Sequence, residues 1–229
     1  NVVCTFTNTR NQGSLRIVKN TLGGNGTFNF TSASTIGNFS LSTVGNTATT
    51  STVVVDSGSY TVAETAQPGW TLTSLVCNNN NYTVNNNSVT VAVATGENVV
   101  CTYTNTRDTG KLQIKKNTVK SDGDTQFSWN SDTQLGNFTL TTASGTVSSE
   151  EFIRETGTYT ITENAKIGWT LTDLVCTGGE FQVDGASVSV SVVKGANVVC
   201  TFTNTRDTAK ITVVKNVVAA GGITDGSFM

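Results

Sequence analysis

The stretch NVVCTYTNTR at residues 98–107 alternates apolar and polar side chains, and it occurs with a single change as NVVCTFTNTR at residues 1–10 and 197–206. Such alternation is typical of a β-strand with one buried face, because successive side chains point to opposite faces. The three copies begin at residues 1, 98 and 197, which gives spacings of 97 and 99 residues. Self-similarity over so long a period predicts domains in series.

This repeat divides the chain into two complete units and two fragments. We expect sandwich units at 11–107 and 108–207, preceded by the last strand of another unit at 1–10 and followed by an opening strand at 208–229. Neighbouring units are joined by only a few residues, so we expect stiffly spaced domains. Two alternatives remain open for the fragments: both ends are cuts in a longer chain, or residues 1–10 pair with the opening strand of a neighbouring molecule.

Each unit is rich in Thr and Val, is punctuated by Gly and Asn, and has hardly any segment of helical period. This pattern predicts short β-strands. In the first unit the expected strands are 14–20, 26–32, 37–43, 50–56, 58–64, 70–77, 88–94 and 97–105. The fold class is therefore all-β, with tandem immunoglobulin-like or transthyretin-like β-sandwich domains.

The composition excludes several classes of partner. Charged residues make up 13% of the chain, and the formal net charge is −2. Soluble domains average about 25% charged residues, so the chain offers no basic face for nucleic acid or an anionic membrane. No apolar run approaches the ~20 residues of a membrane span. We expect no nucleic-acid binding and no membrane insertion in this segment.

The sequence contains no recognisable constellation for catalysis on a substrate. It has no histidine to act as a general base, and its Gly-rich turns lack the context of a phosphate loop. Asp122, Asp124 and Asp132 form a sparse acidic loop, but Asp-x-Asp spacing without further ligands is typical of a solvated turn. We expect no substrate-directed enzyme activity, no cofactor and no metal.

Three polar residues of each unit fall on the predicted buried face of their strands. Lys19, for example, is in phase with Leu15 and Ile17. The two sets are Lys19, Glu64 and Asn105 in the first unit, and Lys116, Glu163 and Asn204 in the second. Burying an isolated ammonium or carboxylate costs several kcal/mol. Three such groups at equivalent places therefore indicate that they compensate one another.

Two kinds of compensation are open from the residues alone. Lys19 can form an ion pair with Glu64 while Asn105 makes ordinary hydrogen bonds. Alternatively, desolvation leaves a neutral amine beside a carboxylic acid that polarises the Asn amide carbonyl. Loss of ammonia would then leave a Lys–Asn isopeptide crosslink.

The segments YTVAETAQPGW at 60–70 and YTITENAKIGW at 159–169 resemble the E-box of prealbumin-like, collagen-adhesin B-type domains. These domains occur in bacterial pilins and surface adhesins, where an isopeptide joins a first-strand Lys to a last-strand Asn with help from the E-box Glu. The resemblance implies a Lys19–Asn105 bond assisted by Glu64 and a Lys116–Asn204 bond assisted by Glu163. Asn8 and Lys215 would belong to split units.

The cysteines repeat together with the units. Cys77 and Cys101 are 24 residues apart, and so are Cys176 and Cys200. This spacing predicts one disulfide in each unit, between the strand after the E-box and the last strand. Cys4 is left over, and we expect its partner outside this segment or in another molecule. Disulfides predict an extracellular or cell-surface location, because cytosolic thiols stay reduced.

Several surface positions are candidates for glycosylation. The Asn-x-Ser/Thr sequons are at Asn25, Asn29, Asn38, Asn81, Asn86 and Asn137. The segment NNNNYTVNNNS at 78–88 is the most polar part of the chain and is expected to be an exposed hairpin tip.

These features favour a structural repeat of an extracellular filament, pilus or surface stalk. Its expected partners are copies of itself or adjacent repeats in a linear polymer. The alternative is a cell-surface adhesin module that binds a host or carbohydrate ligand through loops such as 78–88 or 120–126.

Overall fold

The computed structural model describes residues 1–120, 123–131, 135–143 and 145–216. The strands of the first unit are β1 (Gln12–Leu22), β2 (Thr27–Thr31), β3 (Phe39–Ser42), β4 (Thr47–Thr49), β5 (Val53–Asp56), β6 (Gly58–Glu64), β7 (Trp70–Cys77), β8 (Tyr82–Asn85), β9 (Ser88–Val93) and β10 (Asn98–Arg107). The strands of the second unit are β11 (Thr109–Val119), β12 (Thr125–Ser131), β13 (Phe138–Thr142), β14 (Thr146–Ser148), β15 (Phe152–Glu155), β16 (Gly157–Glu163), β17 (Trp169–Thr177), β18 (Phe181–Asp184), β19 (Ser187–Val192) and β20 (Asn197–Arg206).

Each unit is a sandwich of two sheets, and the predicted all-β fold class is confirmed. In the first unit one sheet has the order β4-β1-β10-β7, with β5 also paired to β1, and the other has the order β3-β2-β6-β9-β8. The second unit repeats both sheets. The described residues form no helix, and so none that is long and apolar enough to cross a membrane.

The first and last strands of each unit lie side by side and run parallel, as β1 with β10 and as β11 with β20. The other strand pairs are antiparallel. The last strand is therefore central in its sheet, between the first strand and β7 or β17. This topology brings the two ends of each unit into one hydrogen-bonded ladder.

The inward faces of the two sheets fill each sandwich with aliphatic and aromatic side chains. Representative buried residues are Leu15, Ile17, Phe28, Phe30, Val62, Val91 and Tyr103 in the first unit, and Leu112, Ile114, Phe127, Trp129, Ile161, Val190 and Phe202 in the second. Aromatic contacts recur between the units. Phe28 meets Trp70 edge-on at 5.4 Å, and Phe127 meets Trp169 at 5.5 Å.

Two local predictions for the first unit need correction. The expected strand 50–56 is shorter in the structure, where β5 covers Val53–Asp56, and the additional strand β4 (Thr47–Thr49) lies just before the expected range. Between the two strands, the Thr50 hydroxyl accepts the Ile17 backbone N–H at 3.1 Å. The polar segment 78–88 is exposed, but it contains the edge strand β8, which pairs with β9. Alternation there was masked by the Asn-rich flanks.

The segments that flank the two sandwiches have no regular secondary structure over residues 1–11 and 207–216. In the first of these, Val2 and Phe6 are 93% and 90% exposed. The same ten-residue sequence forms β20, where Val198 and Phe202 are 0% exposed. The assignment of residues 1–10 and 208–229 to strands of other units therefore stays a prediction.

Gly110, near the start of β11, packs directly against the β19–β20 connection. A Cβ atom at this position would lie 2.6 Å from the Val193 carbonyl oxygen and 2.7 Å from Val192 Cγ1. We expect Gly110→Ala to destabilise the second unit by about 1–3 kcal/mol, because backbone must move to relieve the overlap. Chemical unfolding of the full chain measures this. The matched control is Gly157→Ala, where the nearest atom lies at 4.0 Å, and equal losses in both variants would contradict the packing.

Candidate crosslinking site

Lys19 and Asn105 converge because their strands are parallel neighbours. In the register of β1 and β10, Lys19 lies opposite Tyr103, and Asn105 lies opposite Thr21. The two residues are therefore offset by two positions along the strands and share the inward face. The backbone alone brings a first-strand amine and a last-strand amide together.

Glu64 reaches the same point from the opposite sheet. It is the last residue of β6 and pairs with Phe30 of β2. Lys19, Glu64 and Asn105 are 0%, 4% and 1% exposed. The structure thus brings together the three polar residues that strand parity placed on the buried face.

The three side chains form a closed set of hydrogen bonds. Lys19 Nζ donates to Glu64 Oε2 at 2.9 Å and also to Asn105 Oδ1. Asn105 Nδ2 donates to the other carboxylate oxygen, Glu64 Oε1, at 2.5 Å. One carboxylate therefore contacts both the amine and the amide nitrogen.

The second unit repeats this geometry with its own residues. Lys116 Nζ donates to Glu163 Oε2 at 2.8 Å and to Asn204 Oδ1, and Asn204 Nδ2 donates to Glu163 Oε1 at 2.6 Å. All three side chains are buried. The arrangement is thus a feature of the repeat, since it persists where neighbouring core residues differ.

An aromatic ring lies against each lysine amine. Lys19 Nζ is 4.1 Å from the centroid of the Phe28 ring, and Lys116 Nζ is 4.2 Å from that of Phe127. The contact of these rings with the amine was missed because it depends on the facing of two sheets, although the recurrence of both Phe residues at equivalent positions was visible.

Burial dominates the electrostatics of the two lysines. Desolvation lowers the pKa of Lys19 and of Lys116 below the ordinary value, against the opposing hydrogen bond and charge of the partner glutamate. A lowered pKa favours the neutral amine, which is the nucleophilic form. Burial, with the nearby Glu64 charge, raises the pKa of Tyr103, whose hydroxyl stays protonated and donates to the Val62 carbonyl at 2.7 Å.

A cavity of about 220 Å³ opens beside the second triad. Glu163 and Asn204 contribute to its wall, together with Lys166, Trp169 and Leu171. Its volume is large enough to hold a small molecule such as ammonia or water.

The disulfides join the cysteines that the spacing paired. Cys77 of β7 lies directly opposite Cys101 of β10, and Cys176 of β17 lies opposite Cys200 of β20. Each bond links the last strand to the neighbour that does not carry the lysine. Cys4 is a free, exposed thiol in this structure.

Removing the first disulfide with Cys77→Ala and Cys101→Ala should destabilise the first unit. A closed loop of this size is worth about 3 kcal/mol in the chain-entropy model. We expect the thermal transition of the first unit to fall while that of the second is unchanged. The control is Cys4→Ala, which removes an exposed thiol; a comparable fall in that variant would contradict this account.

The remaining predicted positions do not take part in a buried site here. Asn8 and Lys215 are both exposed. Asp122 and Asp132 lie outside the described residues, and within the described ranges no three Cys, Asp or Glu side chains are grouped to hold a metal ion. The sequon asparagines are all exposed: Asn25, Asn29, Asn38, Asn81, Asn86 and Asn137.

Fold and site together define a class: tandem β-sandwiches whose first and last strands meet at a buried Lys–Glu–Asn triad. A family model described as "Prealbumin-like fold domain" matches residues 15–107 and 112–206. The chain therefore belongs to the prealbumin-like fold domain family, in two tandem copies, and the resemblance drawn from the E-box segments is confirmed.

Solved structures with this fold include streptococcal pilins. The major pilin protein T-13 of Streptococcus pyogenes has 16% identity, with 87% of this chain and 100% of that chain covered and a TM-score of 0.50. Another major pilin structure from Streptococcus pyogenes has 16% identity, with coverage of 87% and 99% and a TM-score of 0.51. These likenesses establish the fold. No curated protein sequence matches the chain significantly.

Proposed function

We propose that this chain is a structural segment of an extracellular filament, pilus or surface stalk, and that each unit is locked by a self-formed Lys–Asn isopeptide bond. The observation that carries the proposal is the pair of equivalent, fully buried triads, each joining the first strand of a unit to its last. A stalk needs this connection, because the load enters a unit through its first strand and leaves through its last.

The reaction needs only groups that the triad contains. Glu64 accepts a proton from the Lys19 ammonium, and the neutral amine attacks Cγ of Asn105. The carbonyl oxygen takes up negative charge in the tetrahedral intermediate, and Glu64 returns the proton to Nδ2. The C–N bond to Nδ2 then breaks and the carbonyl re-forms. The departing ammonia then takes the second proton from the Lys nitrogen, so the products are one secondary amide and one ammonium ion, with Glu64 again a carboxylate and no oxidant or cofactor consumed.

The hydrogen bonds support these roles. Glu64 Oε2 contacts the amine at 2.9 Å, and Glu64 Oε1 contacts the leaving amide nitrogen at 2.5 Å. The same carboxyl group thus contacts both the nitrogen that gives up the proton and the nitrogen that receives it. The reaction happens once in each unit, so the protein is not an enzyme acting on a separate substrate.

An extracellular or cell-surface location is supported by two observations. Each unit carries a disulfide, and disulfides persist in oxidising compartments. The solved structures that share the fold are described as major pilins. Immunogold microscopy of the producing cells, with antibodies against residues 11–207, tests this function. We expect gold particles along surface filaments, and label confined to the cytoplasm would contradict the proposal.

A further part of the proposal concerns residues 1–10. We propose that this segment is the last strand of another sandwich and pairs with a first strand of the type that begins at residue 208, in the same chain or in a neighbouring molecule. Its sequence is that of β20, in which Cys200 is buried. Cys4 occupies the equivalent position and is exposed here.

Thiol labelling of Cys4 tests this pairing. In the isolated chain at low concentration we expect rapid labelling, and in assembled filaments we expect protection, because the residue would be covered as Cys200 is. Thr5→Cys in a Cys4→Ala background is the control, since alternate side chains face outward on a strand. Equally rapid labelling of Cys4 in filaments and in the isolated chain would contradict strand pairing.

A further inference from the structure

The two units meet at a defined polar junction centred on Asp108, the single residue between β10 and β11. Asp108 N–H donates to the Gly69 carbonyl at 2.9 Å, and the Asp108 carbonyl accepts the Thr156 N–H at 3.2 Å. The Asp108 carboxylate accepts the Thr71 hydroxyl at 2.7 Å and lies 3.1 Å from Lys194 Nζ. Lys194 belongs to the second unit, and its ammonium also donates to the Thr71 hydroxyl of the first unit at 2.5 Å, so it connects the two domains.

A second contact braces the same junction from another side. Arg107 Nη2 lies 3.1 Å from Glu155 Oε1 of the second unit, and its guanidinium lies over the Trp70 ring at 4.5 Å from the ring centroid. Burial works against ionisation of Asp108, but the Thr71 hydroxyl and the Lys194 ammonium hold the pKa of its carboxyl below the ordinary value. The junction thus combines two ion pairs with backbone hydrogen bonds.

The contacts that the first unit makes with Asp108, which we call the lower half of the junction, recur at the far end of the second unit. Asp207 N–H donates to the Gly168 carbonyl at 2.9 Å, and the Thr170 hydroxyl donates to the Asp207 carboxylate at 2.7 Å. These are the contacts that Gly69 and Thr71 make with Asp108. The residues equivalent to Lys194 and Glu155 would belong to a further unit.

The contacts that Thr156 and Glu155 of the second unit make, which we call the upper half of the junction, recur at the base of the first unit. Ser57 N–H donates to the Asn11 carbonyl at 2.8 Å, as Thr156 does to Asp108, and Arg10 Nη2 lies 3.3 Å from Asp56 Oδ2, as Arg107 does from Glu155. Both ends of the two-unit body therefore carry one half of the junction that joins its units.

The charges at the junction are matched. Asp108 faces Lys194, whereas at the base of the first unit the equivalent residues are the neutral Asn11 and Thr95. Asp207 again places a carboxylate after the Asn-Thr-Arg sequence. In the second unit the acid Asp108 thus occurs together with the cation Lys194, and in the first unit the neutral Asn11 occurs together with the neutral Thr95.

We propose that the far end of the second unit, formed by Gly168, Trp169, Thr170, Arg206 and Asp207, docks another sandwich unit of this repeat that carries a basic side chain at the position of Lys194. The inference rests on the proposed structural function and identifies the partner of this face. A unit with Thr at that position, such as the first unit, does not complement Asp207.

The exposure of this face supports an absent partner. Asp108 is half-buried and Trp70 is buried at the occupied junction, whereas Asp207 is exposed and Trp169 is half-buried at the open face. A unit docked as the second unit docks on the first would cover Asp207 and Trp169 in the same way.

The test extends the full chain by one unit. Residues 1–207 are followed by a second copy of residues 109–229, so that Asp207 takes the place of Asp108 under the added unit. Residual dipolar couplings report whether adjacent units share one alignment tensor. We expect the second and added units to share one, as the first and second do. Lys194→Thr in the added copy should separate the tensors, and Asp207→Lys combined with Lys194→Asp in the added copy should reunite them.

The control is Lys115→Thr in the added copy, which removes the same charge from the outer face of the first strand of that unit. It should leave the tensors shared. If Lys194→Thr behaves like Lys115→Thr, the charge match is overturned while a stiff stalk remains. If all units tumble independently in the unaltered chain, both the docking face and the proposed structural role are overturned.

Discussion

Glu64→Ala is expected to leave the first unit without its isopeptide bond and to lower its free energy of unfolding by at least about 3–5 kcal/mol, the usual effect of stranding one member of a buried charged pair. Lys19 would retain a buried amine without the carboxylate that contacts it at 2.9 Å. Calorimetry of the full chain should show the transition of the first unit shifted far down and that of the second unchanged. After allowing for the substitution, the intact mass should exceed that of the unaltered chain by the mass of one ammonia, because the first unit no longer loses it.

Two further variants separate chemistry from packing. Glu64→Gln keeps the shape of the side chain but cannot carry the proton. The first unit of this variant should therefore also keep its Asn105 amide and show no loss of ammonia in the intact mass. Asp56→Ala removes an exposed carboxylate that pairs with Arg10 at 3.3 Å, and it should cost less than about 1 kcal/mol, as surface ion pairs do. A Glu64→Ala chain with an unshifted transition and the mass of a crosslinked first unit would contradict the assigned role.

Under a stretching force applied to its ends, the unaltered chain should not lengthen by unfolding of either unit. In the first unit the load would pass from β1 through the Lys19–Asn105 bond into β10, so the intervening strands carry none of it. Lys19→Met should remove this covalent connection between β1 and β10, so that the intervening strands bear the load. Unfolding of the first unit would then release roughly 25 nm of chain, from about 70 residues that extend at ~3.5 Å each while the disulfide loop stays closed.

Single-molecule force spectroscopy measures this difference directly. Arg16→Met is the matched control, because Arg16 lies on the same strand but is exposed on its outer face. That variant should remain inextensible. A lengthening step of similar size in the unaltered chain or in the Arg16→Met chain would contradict a load path through the triad.

Much of the site was predictable because it depends on strand parity. Side chains two positions apart share a face, so Lys19 and Asn105 could be placed inward from neighbours such as Ile17 and Tyr103 without knowing the sheet order. The disulfide partners were predictable from a spacing that recurs in both units. Strand parity and cysteine spacing are both short-range features of strands whose limits the repeat defines.

Other features depend on contacts between distant elements and were missed. The ring of Phe28 under the Lys19 amine requires the facing of two sheets. The contact of Lys194 with Thr71 requires the docking of two domains. The sequence NVVCTFTNTR shows this dependence most directly. It forms strand β20 at 197–206 but no strand at 1–10. Strand formation here is decided by neighbouring strands and not by local propensity.

The most direct test of the central claim is the intact mass of the full chain, measured after reduction of its disulfides. A crosslink in each unit releases one ammonia, so the account predicts a mass lower than that of the sequence by two ammonias, and a mass lower by one in Lys19→Met after allowing for the substitution. A mass equal to that of the unmodified sequence would contradict the isopeptide bonds and leave two buried, noncovalent triads.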